Sequence, residues 1–306
     1  MSRKLYITLF VILAVSMLTV GCGGCNNSDD KEISDIPENI QIEKQTQPVN
    51  DEVIDQIVSS FPSPVTIAAI IHSLDIPFSK KYLVDPDIIE NYDSNNKKAF
   101  ALGVISADLG YLNVYERTNL IVQYLSSIKR LSDDLRIGQF FDFQALKRLA
   151  TTNDNMDSLI YLSISSFNKM DQHLRNNARG NLSLLMITGV WLEGMYLMTQ
   201  VAKESDDPRL IDQIGSQKVI FNMLYPVLKM YKDDKYFQTI ANEFKKFDKI
   251  FSQITITYET GKTETKYIDG RPVIIQNERS VVNITDEQLK DLIYTTEQVR
   301  NKLINL

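Results

Sequence analysis

The apolar positions of this chain recur every three to four residues over most of its length, which is the spacing of helices with a buried face. Short polar breaks divide the pattern into consecutive segments. The predicted helices cover residues 65–74, 97–115, 118–135, 142–150, 154–177, 182–203, 207 to beyond 226, 233–251 and 285–305. The pattern therefore predicts an all-α fold, a multi-helix bundle.

Several predicted helices begin at a side chain that can accept a hydrogen bond from an amide of the first turn. Ser94 or Asn95 opens the helix over 97–115, and Asp142 precedes the short helix that ends near 150. Thr285 with Gln288 three positions later forms a capping-box pattern. These residues place the helix starts independently of the apolar spacing.

Glycine and proline mark other points along the helices. Gly138 follows the helix over 118–135 and predicts a C-terminal cap there, and Gly180 separates the next two long helices. Pro226 lies inside the helix that Asp207 and Pro208 open, and we expect a kink there because proline lacks an amide N–H.

One segment departs from the helical spacing. From Ile254 to Gly261 apolar and polar residues alternate and β-branched residues are frequent, which is typical of a strand. Residues 262–269 and 272–283 follow, divided by Asp269-Gly270, a turn pair. We expect a small β-hairpin excursion near 252–284, with a third strand or an irregular excursion as alternatives.

Two predicted helices, 97–115 and 182–202, are apolar nearly all round, which places them in the middle of the bundle. The first carries small residues, Ala101, Gly103, Ala107 and Gly110, that allow a neighbouring helix to approach closely. The second is long enough to cross a membrane, but we expect a buried central helix instead.

The composition is that of a globular protein, with 43% apolar and 24% charged residues among 306. Residues 50–306 are predicted to form a single helical domain. The net charge is −6, and no basic block with interleaved aromatic residues is present, which argues against nucleic acid as a partner.

The N-terminus has the pattern of a secretory signal. Arg3 and Lys4 precede an apolar run, residues 5–20, and Gly21-Cys22 follows it. This junction resembles the lipobox of bacterial lipoproteins. The resemblance implies that residues 1–21 are removed and that Cys22 is acylated, with Cys25 as the alternative acceptor. It also implies attachment to the outer membrane through lipid.

Residues 22–49 have the composition expected of a lipidated N-terminus and a flexible tether. From residue 26 to 49 the chain has six acidic and two basic residues and few large apolar ones, so it cannot bury enough surface to fold alone. The run Ser28 to Glu32 is similar to acidic stretches that direct lipoproteins to the surface of some anaerobic Gram-negative bacteria. The protein is thus expected to face the periplasm or the cell surface.

The body resembles a family of helical lipoproteins from anaerobic Gram-negative bacteria. The resemblance rests on residues 101–111, 137–143 and 188–194 and covers roughly residues 60–205. It implies a secreted helical protein and carries no catalytic motif.

Two acidic residues on the apolar helices are the candidate site. Asp108 and Glu193 are each surrounded on their helix by apolar or small residues, and an acid in that setting needs a partner or a raised pKa. If their helices touch, the two acids form a carboxylate pair suited to proton transfer or glycoside hydrolysis. The alternative is that each acid pairs with an arginine or a tyrosine. The arginines considered are Arg117, Arg148, Arg175 and Arg179.

Other chemistry finds little support. His72 and His173 stand in no metal-binding motif, and phosphate-loop, dinucleotide and nucleophile-elbow motifs are absent from the sequence. We therefore expect no cofactor and no metal. Aromatic residues on the helices either line a ligand cavity or fill the core; they are Phe140, Phe141, Phe143, Tyr111, Tyr115, Tyr161, Trp191, Tyr196, Phe221 and Tyr225.

These observations favour a lipid-anchored cell-envelope protein with a non-enzymatic role. Its expected partners are the membrane, through the N-terminal lipid, and an envelope protein or a small-molecule ligand. The alternative is a helix-bundle hydrolase that uses Asp108 and Glu193.

Overall fold

The computed structural model of the chain describes residues 57, 71–74, 76–152, 156–260, 264–268, 271–275 and 278–306. Contacts divide the chain into two units, 1–44 and 45–306, and every described element belongs to the second. The predicted signal segment, Cys22, Cys25, the tether and most of the helix expected over 65–74 lie outside the described residues.

The described chain is a multi-helix bundle with a β-hairpin near its C-terminal end, so the predicted fold class is confirmed. The helices are α1 (Asn95–Val114), α2 (Thr118–Asp134), α3 (Phe143–Thr152), α4 (Met156–Asn176), α5 (Gly180–Val201), α6 (Pro208–Met230), α7 (Lys235–Phe251) and α8 (Asp286–Ile304). The strands are β1 (Thr255–Thr260), β2 (Glu264–Ile268), β3 (Arg271–Ile275) and β4 (Glu278–Asn283).

The helix starts follow the side chains that the sequence indicates. Ser94 accepts a hydrogen bond from an amide of the first turn of α1, and Asp142 accepts one at the start of α3. Thr285 and Gln288 form both bonds of a capping box at the start of α8. These bonds satisfy amides that have no partner within the helix.

The C-terminal glycine cap expected at Gly138 is wrong. Among the residues that the structure describes, the non-glycine residues in the left-handed conformation are Glu116, Arg136 and Ala178, with φ of 52°, 57° and 57°. Each is followed by an amide that bonds a carbonyl five residues earlier, as at the end of α2, where the Ile137 amide donates to Ser132 at 2.8 Å. This is the Schellman arrangement with a non-glycine residue at the left-handed position. Gly138 instead begins a short 3₁₀ helix.

Helices α1 and α5 form the centre of the bundle and are buried on nearly all sides. They meet at two glycines. A Cβ atom on Gly103 would lie 1.9 Å from the Met186 carbonyl oxygen, and one on Gly189 would lie 2.1 Å from the Phe100 carbonyl oxygen. Only glycine permits backbones to approach this closely.

Among the described residues, α5 is long and apolar enough to cross a membrane, and that whole span is buried inside the protein. Its apolarity is therefore explained by protein neighbours, since α1, α4, α6 and α8 pack around it. The expectation of a buried central helix is confirmed.

An aromatic cluster fills the core between α5, α6 and α7. Trp191 contacts Phe221, Phe244 and Phe247 with ring centroids 5.3–5.7 Å apart. The sequence left open whether the aromatic residues of the helices fill the core or line a ligand cavity. Trp191 and Phe221 fill the core. Tyr161, in contrast, is 73% exposed.

The hairpin consists of two nested antiparallel ladders. β1 pairs with β4 and β2 pairs with β3, so Ile268 lies opposite Arg271 with only Asp269-Gly270 between them. The conformation of that predicted turn lies outside the described residues. At the base of the hairpin, the Val282 side chain packs against Gly215 of α6. A Cβ atom added to Gly215 would lie 2.3 Å from that side chain.

Residues 76–92, which we call the strap, precede α1 and cross the helices. The strap contains two 3₁₀ helices, Lys80–Tyr82 and Pro86–Asn91, joined by extended residues. It packs against α1, α2 and α5. Its backbone reaches Asp108 directly and Glu193 only through Arg300, which bonds the Tyr82 carbonyl.

Candidate functional site

Asp108 lies on α1, is fully buried, and faces the strap. Its Oδ2 atom accepts a hydrogen bond from the Val84 amide at 2.9 Å. Its other oxygen, Oδ1, has no hydrogen-bond partner among the described residues. The bonded partner is therefore a backbone amide of the strap, where the sequence led us to expect an arginine or a tyrosine.

Glu193 lies on α5, is fully buried, and is held by an arginine of α8. Arg300 donates from Nε to Oε2 at 3.0 Å and from Nη2 to Oε1 at 2.6 Å. The guanidinium also lies 4.1 Å from the centre of the Tyr196 ring and donates to the Tyr82 carbonyl at 3.3 Å. Both carboxylate oxygens of Glu193 are thus occupied by a two-pronged ion pair.

The electrostatics set Asp108 apart from the Glu193–Arg300 ion pair. Burial, and then the nearby Glu193 carboxylate, raise the pKa of Asp108 well above its usual range. Burial alone would lower the pKa of Arg300, but the Glu193 carboxylate outweighs it and the net pKa is raised. The buried cluster of Asp108, Glu193 and Arg300 therefore contains a carboxyl whose charged form is disfavoured, beside an arginine–glutamate salt bridge.

The arginine that pairs with Glu193 is Arg300, and none of the four arginines considered from the sequence takes that place. Those four were Arg117, Arg148, Arg175 and Arg179. Arg175 instead pairs with buried Asp171, and Arg179 donates to a backbone carbonyl.

A signal for Arg300 exists in the sequence of α8. The buried positions of that helix include Leu292, Thr296, Val299 and Leu303, which follow one face at spacings of three and four. Arg300 lies beside this apolar stripe. An arginine in that position needs a buried partner, and this signal was missed.

Hydroxyl groups from α1 and α2 bind the strap backbone on either side of the cluster. Tyr124 donates to the Val84 carbonyl at 2.5 Å, and Tyr115 donates to the Ile76 carbonyl at 2.7 Å. The Ser79 amide donates to the Tyr111 hydroxyl at 3.1 Å. Burial, and then the nearby Asp108, raise the pKa of Tyr124, so its hydroxyl stays protonated and able to donate. The strap is thus held by hydrogen bonds to its main chain and by the burial of Tyr82, Val84 and Ile89 in the core.

Metal clusters and surface clefts are the other kinds of site that a helical bundle can offer. In the part of the chain that the structure describes, no group of three or more histidine, cysteine or acidic residues could hold a metal ion. A surface cleft of about 320 Å³ lies at the turn between α6 and α7, and all of its lining comes from residues 228–242. Neither Asp108 nor Glu193 lines it.

Comparison of the chain with protein-family models, with curated proteins and with solved structures finds no match. The resemblances to lipobox lipoproteins and to helical lipoproteins of anaerobic bacteria therefore stay predictions.

Proposed function

We propose that this chain is a lipid-anchored cell-envelope protein whose helical body binds a partner protein and catalyses no reaction. The anchor in this proposal is acylated Cys22, with Cys25 as the alternative, at the outer membrane. The body then faces the periplasm or the cell surface at the end of the tether.

One observation carries the non-catalytic part: both candidate acids are fully buried and bound by groups of the protein itself. Glu193 is fully buried and both of its oxygens are bound by Arg300. Asp108 is fully buried beneath the Val84 amide. A catalytic carboxylate must reach its substrate, and these two reach only the strap and α8.

Partner binding is supported by the surface of the body. Tyr258 on the hairpin is 77% exposed and Tyr294 on α8 is 67% exposed, and tyrosine is frequent in protein interfaces. If the body binds a small molecule instead, the α6–α7 cleft is the candidate site, and Lys229 and Lys232 in its lining would favour an anion.

Cell fractionation tests the anchor. Wild-type protein is expected in the outer-membrane fraction, and Cys22→Ala is expected to release or mislocalise it. Cys25→Ala is the matched control and should leave the distribution unchanged. Reversal of the two results would assign the lipid to Cys25, and membrane association of the double variant would refute a lipid anchor. Protease shaving of intact cells then separates the two orientations, because only a surface-exposed body is cleaved.

The alternative function is a hydrolase that uses the same two acids. The observation that favours it is that Asp108, whose pKa is raised well above its usual range, lies near the Glu193 carboxyl, since enzymes assign acid and base roles to two carboxyls by setting their environments apart. A panel of chromogenic glycosides and esters tests it. Turnover that Asp108→Asn abolishes would support the hydrolase and overturn the binding proposal, whereas no turnover by the wild type supports binding.

A further inference from the structure

Strand β1 has an unpaired edge within the part of the chain that the structure describes. There β1 pairs with β4 alone, in a two-stranded sheet, and it is β4 that packs on α6. Outside this ladder, no main-chain hydrogen bond between described residues reaches β1. Alternate amides and carbonyls of β1 therefore point away from β4, and a two-stranded ribbon gains stability when a further strand pairs with it.

The sequence of β1 leaves this edge unprotected. Edge strands of native proteins commonly carry lysines, prolines or several charges that discourage pairing with another chain. The other three strands carry such residues: β2 has Glu264 and Lys266, β3 has Arg271 and Pro272, and β4 has Glu278 and Arg279. Strand β1 reads Thr-Ile-Thr-Tyr-Glu-Thr, with Glu259 as its one charge and with no lysine or proline.

Strand β1 is also complementary to itself in one antiparallel register. If two copies pair about a two-fold axis at Thr257, this threonine meets its own counterpart. In the same register Ile256 meets Tyr258 of the second copy, and Thr255 meets Glu259. Pairs of two threonines and pairs of a β-branched with an aromatic residue are favourable across strands. The one charge of the strand meets a threonine and not a second carboxylate.

The positions that this contact needs are open to solvent. Thr255, Thr257 and Glu259 are exposed, and Ile256 is half-buried. Tyr258 is 77% exposed, so its ring finds little cover within its own chain. Pairing with a second copy would lay that ring beside Ile256 of the other β1 and remove apolar surface of both side chains from water.

We infer that β1 is a self-association site, where two copies of this chain pair their β1 strands antiparallel about Thr257. The two ribbons then form one four-stranded sheet in the order β4-β1-β1-β4. The contact is a closed two-fold interface, because each copy uses the same strand. The inference goes beyond the proposed function, since it needs neither the lipid anchor nor a different envelope protein.

Cysteine cross-linking of the full chain in intact cells tests the register. In Thr257→Cys the two thiols lie on directly opposed residues, whose Cα atoms are about 4.5–5.5 Å apart, a separation that a disulfide can span. Thr255→Cys is the matched control on the same strand and face, where the two cysteines are offset by four residues, about 13 Å along the strand. Wild-type chain, whose cysteines are residues 22 and 25, gives the background.

After mild oxidation we expect Thr257→Cys to give a disulfide-linked dimer on non-reducing gels and Thr255→Cys to stay at the wild-type background. Equal cross-linking of the two variants would show a contact without this register and would overturn the inference. Absence of a dimer in Thr257→Cys would overturn it as well.

Two lysine variants test the same register without a covalent bond. Thr257→Lys places two like charges opposite each other, whereas Thr255→Lys places a lysine opposite Glu259 of the second copy. Sedimentation of the detergent-extracted full chain should show the dissociation constant of the dimer rising about three-fold or more in Thr257→Lys, and unchanged or lower in Thr255→Lys.

A wild type that sediments as a monomer, or equal weakening by the two lysines, would refute the site. The proposed function would then still stand, because the fractionation experiment and the hydrolase assay test it separately.

Discussion

At the scale of single residues, the central feature is that a carboxyl with a raised pKa and an arginine–glutamate ion pair share one buried cluster. Asp108 holds the strap amide and Glu193 holds Arg300. Burial, and then the nearby Glu193 carboxylate, disfavour the charged form of Asp108 and raise its pKa well above the usual range. The cluster therefore couples α1, α5 and α8 to the strap.

The raised pKa of Asp108 predicts a specific dependence of stability on pH. Because its pKa is raised in the folded protein, its proton stabilises the fold fully below the unfolded pKa of about 3.9, and that stabilisation is lost as the pH rises through the folded pKa. The amide side chain of the Asp108→Asn variant cannot titrate. Between the unfolded and the folded pKa, the free energy of unfolding of the wild type should thus fall relative to that of Asp108→Asn by up to about 1.4 kcal/mol per pH unit.

Denaturant titrations at several pH values measure this difference. Asp108→Ala is the control, since it leaves the Val84 amide without an acceptor and should be less stable than Asp108→Asn at every pH. Parallel curves for the wild type and Asp108→Asn would contradict the raised pKa of Asp108.

The ion pair predicts a large loss for Glu193→Gln. Removal of one partner leaves the buried Arg300 charge uncompensated, which costs about 3–5 kcal/mol of the free energy of unfolding. The matched control is Glu297→Gln, whose partner is the half-exposed Lys203 and which should cost less than about 1 kcal/mol. Urea unfolding measures both, and losses of equal size would show that the Glu193–Arg300 pair is not desolvated.

At the scale of the elements, helix ends and helix contacts depend on different kinds of residue. Three helices end with a non-glycine residue in the left-handed conformation, whereas two glycines lie where α1 and α5 touch. Glycine thus lies where a Cβ atom would collide with the neighbouring helix, and non-glycine residues adopt the strained left-handed conformation at the helix ends. These two uses lead to opposite predictions for glycine substitutions.

Ala178→Gly should stabilise the protein. Ala178 has φ of 57° and is exposed, and a non-glycine residue in that conformation costs about 1–2 kcal/mol. Part of the gain is offset by the larger entropy of glycine in the unfolded chain, which leaves about 0.5–1 kcal/mol. Ala241→Gly inside α7 is the control and should destabilise by up to about 1 kcal/mol. Thermal unfolding measures both signs, and destabilisation by Ala178→Gly would contradict the left-handed cap.

Gly103→Ala should destabilise the α1–α5 contact. The new Cβ would lie 1.9 Å from a backbone oxygen of Met186, so the helices must separate, which costs about 1–3 kcal/mol. In Gly215→Ala the Cβ meets the end of the Val282 side chain, which can rotate, so the loss should be smaller. Thermal unfolding of both variants measures the difference. An equal loss of stability in the two variants would show that the α1–α5 contact adjusts to an added Cβ atom as easily as the Val282 side chain does.

At the scale of the whole molecule, the bundle is held without covalent cross-links. Both cysteines, Cys22 and Cys25, precede residue 26, and the sequence has none from there to its end. The stability of the described unit must therefore come from burial around α1 and α5 and from the polar cluster between them.

Reductant should consequently leave the melting temperature unchanged. Without a cysteine after residue 25, no disulfide can constrain the unfolded helical unit. Calorimetry with and without dithiothreitol measures this, and a drop of more than a few degrees would show that Cys22 or Cys25 takes part in the fold.

The sequence alone determined the local features of this protein. Helix starts at Ser94, Asp142 and Thr285 were predictable because each bond joins residues three apart in the chain. The hairpin followed from strict alternation and its turn pair, and the burial of Asp108 and Glu193 followed from their apolar helices.

Only the tertiary structure decided what the buried acids contact. Glu193 and Arg300 are 107 residues apart, and Val84 meets Asp108 through a strap that no local pattern places. On the evidence of the sequence alone, several arginines are equally good candidates to neutralise a buried acid. Which one does so depends on how the helices pack, because a charge–charge contact is set by distance in space and not by position along the chain.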